Sequence, residues 1–170
     1  FDIQPNLLCL GKGLGSGVTI AAVVGESRLT DSLQPGDISS TYGGNPFCTA
    51  LALEAIDIIE EEGLAEKAER TGRRLADRFS RLQARSRCLG DVRGMGLVYG
   101  LELVKDKESK EPAPQLALRL VEGCFQRGLA LIAPLGLNGN VIRIAPPLMI
   151  DEELADHALD VLESVLLSLE

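Results

Sequence analysis

The sequence predicts an α/β chain in two parts, and three observations carry that reading. Brief apolar runs bounded by glycine alternate with longer stretches whose apolar residues recur at helical spacing. A Glu60-Glu61-Glu62-Gly63 stop separates a first part, residues 1–63, from a second, residues 64–170. Neither part contains an internal repeat or a low-complexity segment.

In the first part, Asn6 to Leu10 and Thr19 to Val24 are short and apolar, so each is expected to be a buried strand. The glycine-rich turn between them carries Lys12. Asp31 to Gly44 is rich in Ser, Gly, Pro and Asp and reads as a loop. Pro46 then opens a helix, because its ring presets φ for a first turn. Ala50, Leu51, Leu53, Ala55, Ile56, Ile58 and Ile59 crowd this helix, which predicts burial on more than one side.

The second part begins with a long helix, Leu64 to Arg85, whose apolar stripe (Leu64, Ala68, Leu75, Phe79, Leu82) predicts packing on one face. Cys88 to Val92 and Leu97 to Val104 read as strands around the turn Arg93-Gly94-Met95-Gly96. After a charged loop, Asp106 to Pro114, a helix is expected over Ala113 to Arg127, closing at Gly128. Leu129 to Ala133 and Asn140 to Ile144 predict a further strand pair around Gly136 and Gly139. Asp151 to Leu169 is a final amphipathic helix, capped by Asp151 with Glu152 and Glu153 in its first turn.

Composition narrows the function. With 170 residues and 45% apolar content the chain can bury a core. A net charge of −8 without a basic stripe makes nucleic acid and anionic membranes poor partners. No apolar stretch is long enough for a membrane span, and no leader pattern precedes the fold, so a cytoplasmic location is expected. Cys9, Cys48, Cys88 and Cys124 are widely spaced and predict buried free thiols in a reducing compartment. The sole histidine, His157, has no second histidine to share a metal, and no metal site is expected.

Lys12, Thr41 and Arg143 are the candidate site residues. Lys12 sits just past an apolar run with glycine on either side, where a bulky group can approach its amine. Burial there would lower its pKa and suit it to condense with a carbonyl compound; otherwise it is a solvated loop lysine. Thr41 offers a hydroxyl ahead of Gly43-Gly44 and the helix at Pro46, an arrangement suited to an anion or equally to a plain turn and helix start. Arg143 interrupts the apolar run Val141 to Ile144, where a charge needs a partner. Its planar fork matches a carboxylate, with a structural salt bridge or an edge-strand position facing water as alternatives. Arg93 is expected to brace its turn. Two nucleotide-binding patterns fail: Lys12 is followed by Gly13 with no glycine at the earlier position of a P-loop, and Gly13-Leu14-Gly15-Ser16-Gly17 runs into a strand where a dinucleotide fingerprint opens a helix.

Four segments together carry a resemblance: Leu10-Gly11-Lys12-Gly13-Leu14-Gly15, Thr41-Tyr42-Gly43-Gly44-Asn45-Pro46, Gly90-Asp91-Val92-Arg93-Gly94-Met95-Gly96-Leu97, and Gly139-Asn140-Val141-Ile142-Arg143-Ile144-Ala145-Pro146-Pro147-Leu148. In this order the chain resembles the C-terminal part of the class-III (subgroup III) aminotransferases, fold type I enzymes dependent on pyridoxal 5'-phosphate. The resemblance implies that residues 1–63 are a remnant of the large cofactor-binding domain and residues 64–170 a small α+β C-terminal domain. It implies that Lys12 holds the cofactor as a Schiff base and that Thr41 reaches the cofactor phosphate of a neighbouring subunit. A homodimer with a shared active site follows. Arg143 would bind a substrate carboxylate.

The implied reaction moves an amino group from a small-molecule donor, an ω-amino acid such as 4-aminobutyrate, ornithine or acetylornithine, to a 2-oxo acid such as 2-oxoglutarate. Aminomutases and decarboxylases resemble the same group. The family's earlier half supplies a glycine-rich phosphate loop, an aromatic that stacks on the cofactor and an aspartate for its ring nitrogen. Without them the 170-residue chain is expected to hold the cofactor weakly and to have little transaminase activity, or to serve only as a structural or dimerisation module.

Overall fold

The computed structural model describes residues 3–170, and the chain divides into two compact units at Gly63/Leu64. In the first unit, β1 (Leu7–Leu10) pairs antiparallel with β2 (Ala22–Gly25), Leu10 facing Ala22 and Leu7 facing Gly25. β2 starts later than the apolar run at Thr19 suggests. The chain between the strands is taken up by a 3-10 turn at Lys12–Gly15 and a reversal through Ser16 and Gly17, closed by Val18 N–H to the Gly15 carbonyl at 3.0 Å. A four-residue helix, α1 (Ser27–Thr30), is too short for any periodicity to announce it. Helix α2 (Pro46–Glu61) starts as expected: Asn45 Oδ1 accepts from Cys48 N–H at 3.0 Å, and Pro46 occupies the first turn.

Burial in this unit departs from expectation. Leu7, Leu8 and Leu10 of β1 and Val23 and Val24 of β2 are exposed. On α2 only Ala52 and Ala55 are buried, while Phe47 and Leu53 stand 69% and 60% exposed. Cys9, predicted to be buried, is exposed, and Cys48 is half-buried. The reason is geometric. An apolar run is buried only if something packs on it, and a two-stranded ribbon offers too little surface to cover a sixteen-residue helix.

The second unit has a complete core. Its sheet runs β3 (Leu89–Met95), β4 (Val98–Leu103), β5 (Val141–Ile144), all antiparallel. β3 extends through most of the predicted turn, since the reversal needs only Gly96 and Leu97 between the paired Met95 and Val98. Helix α3 (Leu64–Arg85) buries the whole predicted stripe. It also approaches the hairpin backbone to backbone: a Cβ on Gly72 would stand 2.1 Å from the Gly96 carbonyl oxygen. Tyr99 Oη donates to the Gly72 carbonyl at 3.1 Å, and its ring lies 5.2 Å from that of Phe79. Helix α4 (Pro114–Gln126) buries Ala117, Leu120 and Cys124. Helix α5 (Glu152–Ser168) is capped by Asp151 Oδ1, which accepts from Glu153 N–H at 2.9 Å and Leu154 N–H at 3.1 Å. Between α3 and α5, Arg78 pairs with Asp160 at 2.7 Å and Glu163 at 2.8 Å, and Arg74 pairs with Glu152 and Asp156.

The strand expected at Leu129–Ala133 does not form. Its segment meets β5 only at Leu135, through paired hydrogen bonds with Val141 at 2.8 and 3.1 Å. Pro134, which has no N–H to give a ladder, stands immediately before that bridge. β5 is therefore the edge of the sheet apart from that one bridge.

The far end of α5 is tied down by Glu170, whose side chain is 8% exposed. Its Oε1 accepts from the N–H of Arg87 at 3.0 Å, from the N–H of Cys88 at 3.3 Å, from Cys88 Sγ at 3.0 Å and from Ser86 Oγ. Burial alone would raise this carboxyl's pKa, but the hydrogen bonds from Cys88, Ser86 and the backbone prevail and hold it below its ordinary value. A carboxyl depressed on folding contributes stability that is present above its unfolded pKa and lost as the pH falls through the folded one. Glu170→Gln is thus expected to lower the stability of the chain at pH 7 and to flatten the loss of stability below about pH 4. Urea unfolding at pH 7 and pH 3 checks this: equal destabilisation at both values would refute the assignment.

Candidate active site

Lys12 opens the 3-10 turn after Gly11 and has φ of +49°, a left-handed conformation that ordinary residues rarely hold. Such a residue carries strain of about 1–2 kcal/mol, which persists only where the surrounding structure imposes it. A Cβ placed on Gly13 would meet nothing within 4 Å, and one on Gly11 would meet only Ala21 Cβ at 4.0 Å. The space beside the lysine is open. The sheltered apolar niche expected for Lys12 is not found: the residue is exposed, because the strand that leads into it is itself uncovered.

Within the same unit this turn packs on α2, the helix that follows Thr41. Thr41 is exposed at the start of a turn running to Gly44, and among the described residues its hydroxyl has no hydrogen-bond partner. The Gly43 N–H, expected to be available to an anion, is taken by the Ser40 carbonyl at 3.2 Å, which closes the turn. Asn45 Nδ2 donates to the Tyr42 carbonyl at 2.9 Å and fixes that turn on the helix start.

Arg143 belongs to the second unit. Ile142 is fully buried, so alternation along β5 turns Arg143 to the outer face of the sheet, where it is exposed. Among the described residues of this unit no carboxylate pairs with it. The charge that looked costly in an apolar strand is accommodated by the strand's edge position. Among the described residues Arg143 is also the one ionisable residue lining a cavity of about 360 Å³ whose other walls include Leu131, Ile144, Pro147, Ile150 and Leu159. Arg93 braces its hairpin as expected, with Nη1 donating to Asp91 Oδ2 at 2.5 Å and Glu102 Oε2 at 2.7 Å. The hydrogen bonds to Glu102 and then to Asp91 hold its guanidinium above the ordinary arginine range.

Asp91, Gly100 and Glu102, which the sequence reading passed over, join Arg93 and Arg143 on that outer face. The alternation Val98, Gly100, Glu102 along β4 was the available signal. The remaining thiols are inert by environment: burial pushes Cys88 and Cys124 each up to about 11. Among the described residues no helix is long and apolar enough to cross a membrane.

Residues 1–166 match the family described as aminotransferase class-III. The chain is 40% identical over 169 residues to the isoleucine 2-epimerase of Lentilactobacillus buchneri, covering 99% of this chain and 37% of that protein. It is 36% identical over 164 residues to the probable 4-aminobutyrate aminotransferase of Bacillus subtilis, covering 96% of this chain and 37% of that one. A solved phospholyase from Arthrobacter, in complex with phosphoethanolamine, matches with a TM-score of 0.94 at 34% identity, over 100% of this chain and 40% of that chain. The chain thus spans 37% of the length of these two curated relatives. Because the match runs through both units, from the lysine turn to the last helix, the chain belongs to the aminotransferase class-III family, whose members use pyridoxal 5'-phosphate.

Proposed function

We propose that the chain is the C-terminal portion of a cytoplasmic, homodimeric pyridoxal-phosphate aminotransferase, with the first unit a remnant of the large domain and the second the small domain. Its donor is an ω-amino acid or related amine and its acceptor a 2-oxo acid such as 2-oxoglutarate. The observation that carries this is the match of residues 1–166 to the class-III family, and Lys12 supports it by its place on a left-handed residue between two glycines that leave open space beside it.

Lys12 would hold the cofactor through its amine and would move a proton at the substrate carbon. The Thr41 hydroxyl would donate to the cofactor phosphate held by a neighbouring subunit. Arg143 receives a substrate carboxylate in a forked pair of hydrogen bonds. The bound cofactor supplies the electron sink.

A second reading has a specific observation behind it. The relative at 40% identity is an epimerase, and in racemisation or epimerisation the same lysine-centred site returns the proton to the opposite face and keeps the amino group on the substrate. Incubation with pyridoxal phosphate, borohydride reduction and peptide mapping test the site: the cofactor mass is expected on Lys12. Label spread evenly over Lys67, Lys105, Lys107 and Lys110 would overturn the assignment.

A further inference from the structure

The outer face of the second unit's sheet carries one row in register across all three strands: Arg93 on β3, Gly100 on β4 and Arg143 on β5. Directly paired residues of antiparallel strands share a face. The fully buried Leu101 and Ile142 lie on the other face, against the core. The adjacent row on the outer face is Asp91, Glu102 and Val141. The two arginines therefore stand two strand spacings apart, about 10 Å, with only a glycine between them.

By register Glu102 is the diagonal neighbour of both, since Gly100, two positions before it, is the partner of Arg93 on one side and of Arg143 on the other. Diagonal side chains start about 7–8 Å apart, within reach of a glutamate and an arginine. Glu102 is nonetheless held by Arg93 alone, at 2.7 Å, and the same Nη1 also holds Asp91 at 2.5 Å. Arg143 is left without a carboxylate of this unit. The competition is unequal because Asp91, two residues from Arg93 on the same strand, fixes that guanidinium over Glu102. Among the described residues of this unit Arg143 has no second acid to fix it.

We propose that Arg93, anchored by Asp91, is a positioning residue that holds Glu102 away from Arg143 and so keeps the Arg143 guanidinium open for a substrate carboxylate. This rests on the reading of Arg143 as the carboxylate site. Exposed ion pairs are individually weak, so loss of one arginine is enough to hand Glu102 to the other. A glutamate so released is a tethered competitor of the substrate. It raises the carboxylate concentration needed and leaves the chemistry at Lys12 untouched.

The test is residue-resolved modification by phenylglyoxal, which attacks unpaired guanidiniums, on the full chain with propionate as the carboxylate probe. In the wild type, Arg143 is expected to react faster than Arg93 and to be protected by propionate. In Arg93→Gln its reaction slows about fivefold, as befits an exposed ion pair, and more propionate is needed for protection. In Arg93→Gln/Glu102→Gln both values return to those of the wild type, a rescue that a merely structural Arg93 would not show. If Arg93→Gln loses its circular dichroism spectrum, Arg93→Lys carries the test, with intermediate slowing expected and no slowing overturning the proposal. An unchanged Arg143 rate in a folded Arg93→Gln, or slowing that persists in the double variant, also overturns it. Absence of propionate protection in the wild type removes the carboxylate reading itself, whereas protection with an unchanged rate in Arg93→Gln removes this proposal alone.

Discussion

Lys12→Gly is expected to abolish covalent capture of pyridoxal phosphate and, in the same variant, to make the chain more stable. The two effects share one cause. Lys12 holds φ of +49°, and a side chain in the left-handed region costs roughly 1–2 kcal/mol, which glycine does not incur. Glycine also loosens the unfolded chain and takes back about 0.5–1 kcal/mol. A net gain of about 0.5 kcal/mol remains, opposite in sign to the usual outcome of a surface substitution. Lys12→Arg keeps both the charge and the strained backbone and is expected to lose capture with no gain in stability. Borohydride trapping reads the first effect and urea midpoints the second. Capture retained at another lysine in Lys12→Gly would dismiss Lys12 as the anchor, and a destabilised Lys12→Gly would dismiss the strain argument.

Gly72→Ala is expected to destabilise the second unit by about 3 kcal/mol, the upper part of the range for overpacking. Within a helix the same exchange ordinarily gains about 1 kcal/mol, so the sign decides the matter. The added methyl would lie 2.1 Å from the Gly96 carbonyl oxygen and 2.5 Å from its carbon, both backbone atoms of a two-residue hairpin turn that cannot rotate aside. Either α3 lifts away, uncovering Leu75 and Phe79, or the hairpin is pushed off. Gly123→Ala in α4 is the matched control. There a single side-chain atom, Val165 Cγ1 at 2.7 Å, stands in the way and the next nearest lies at 3.9 Å, so a small shift of one side chain relieves the contact and a smaller effect is expected. Equal destabilisation of the two variants in thermal or urea unfolding would contradict this account.

What the sequence made legible follows from where the physical signal lies. The stripe Leu64, Ala68, Leu75, Phe79, Leu82 predicted both α3 and its buried face, because helical periodicity is a property of the segment itself. The caps at Asn45–Pro46 and Asp151 were equally local. Burial of β1 and α2 was misjudged because it depends on a neighbouring surface, which no run of leucines encodes. The strand expected at Leu129–Ala133 failed for a related reason: β-pairing needs an edge in register, and the chain meets that edge only at Leu135. Of the candidate site, Lys12, Thr41 and Arg143 were named from residue type and context, but the strained backbone at Lys12 was not foreseen. The Asp91–Arg93–Glu102 cluster appears only once antiparallel register places β3 beside β4.

The uneven burial of the two units has a calorimetric consequence. Among the described residues of the first unit only Gly15, Ala52 and Ala55 are buried, whereas the second carries an apolar interior from Leu64 to Leu166. The heat-capacity increment on melting scales with apolar surface newly wetted, so nearly all of it arises from the second unit. A single melting temperature for the chain would accordingly report on that unit and say almost nothing about the segment that carries the lysine.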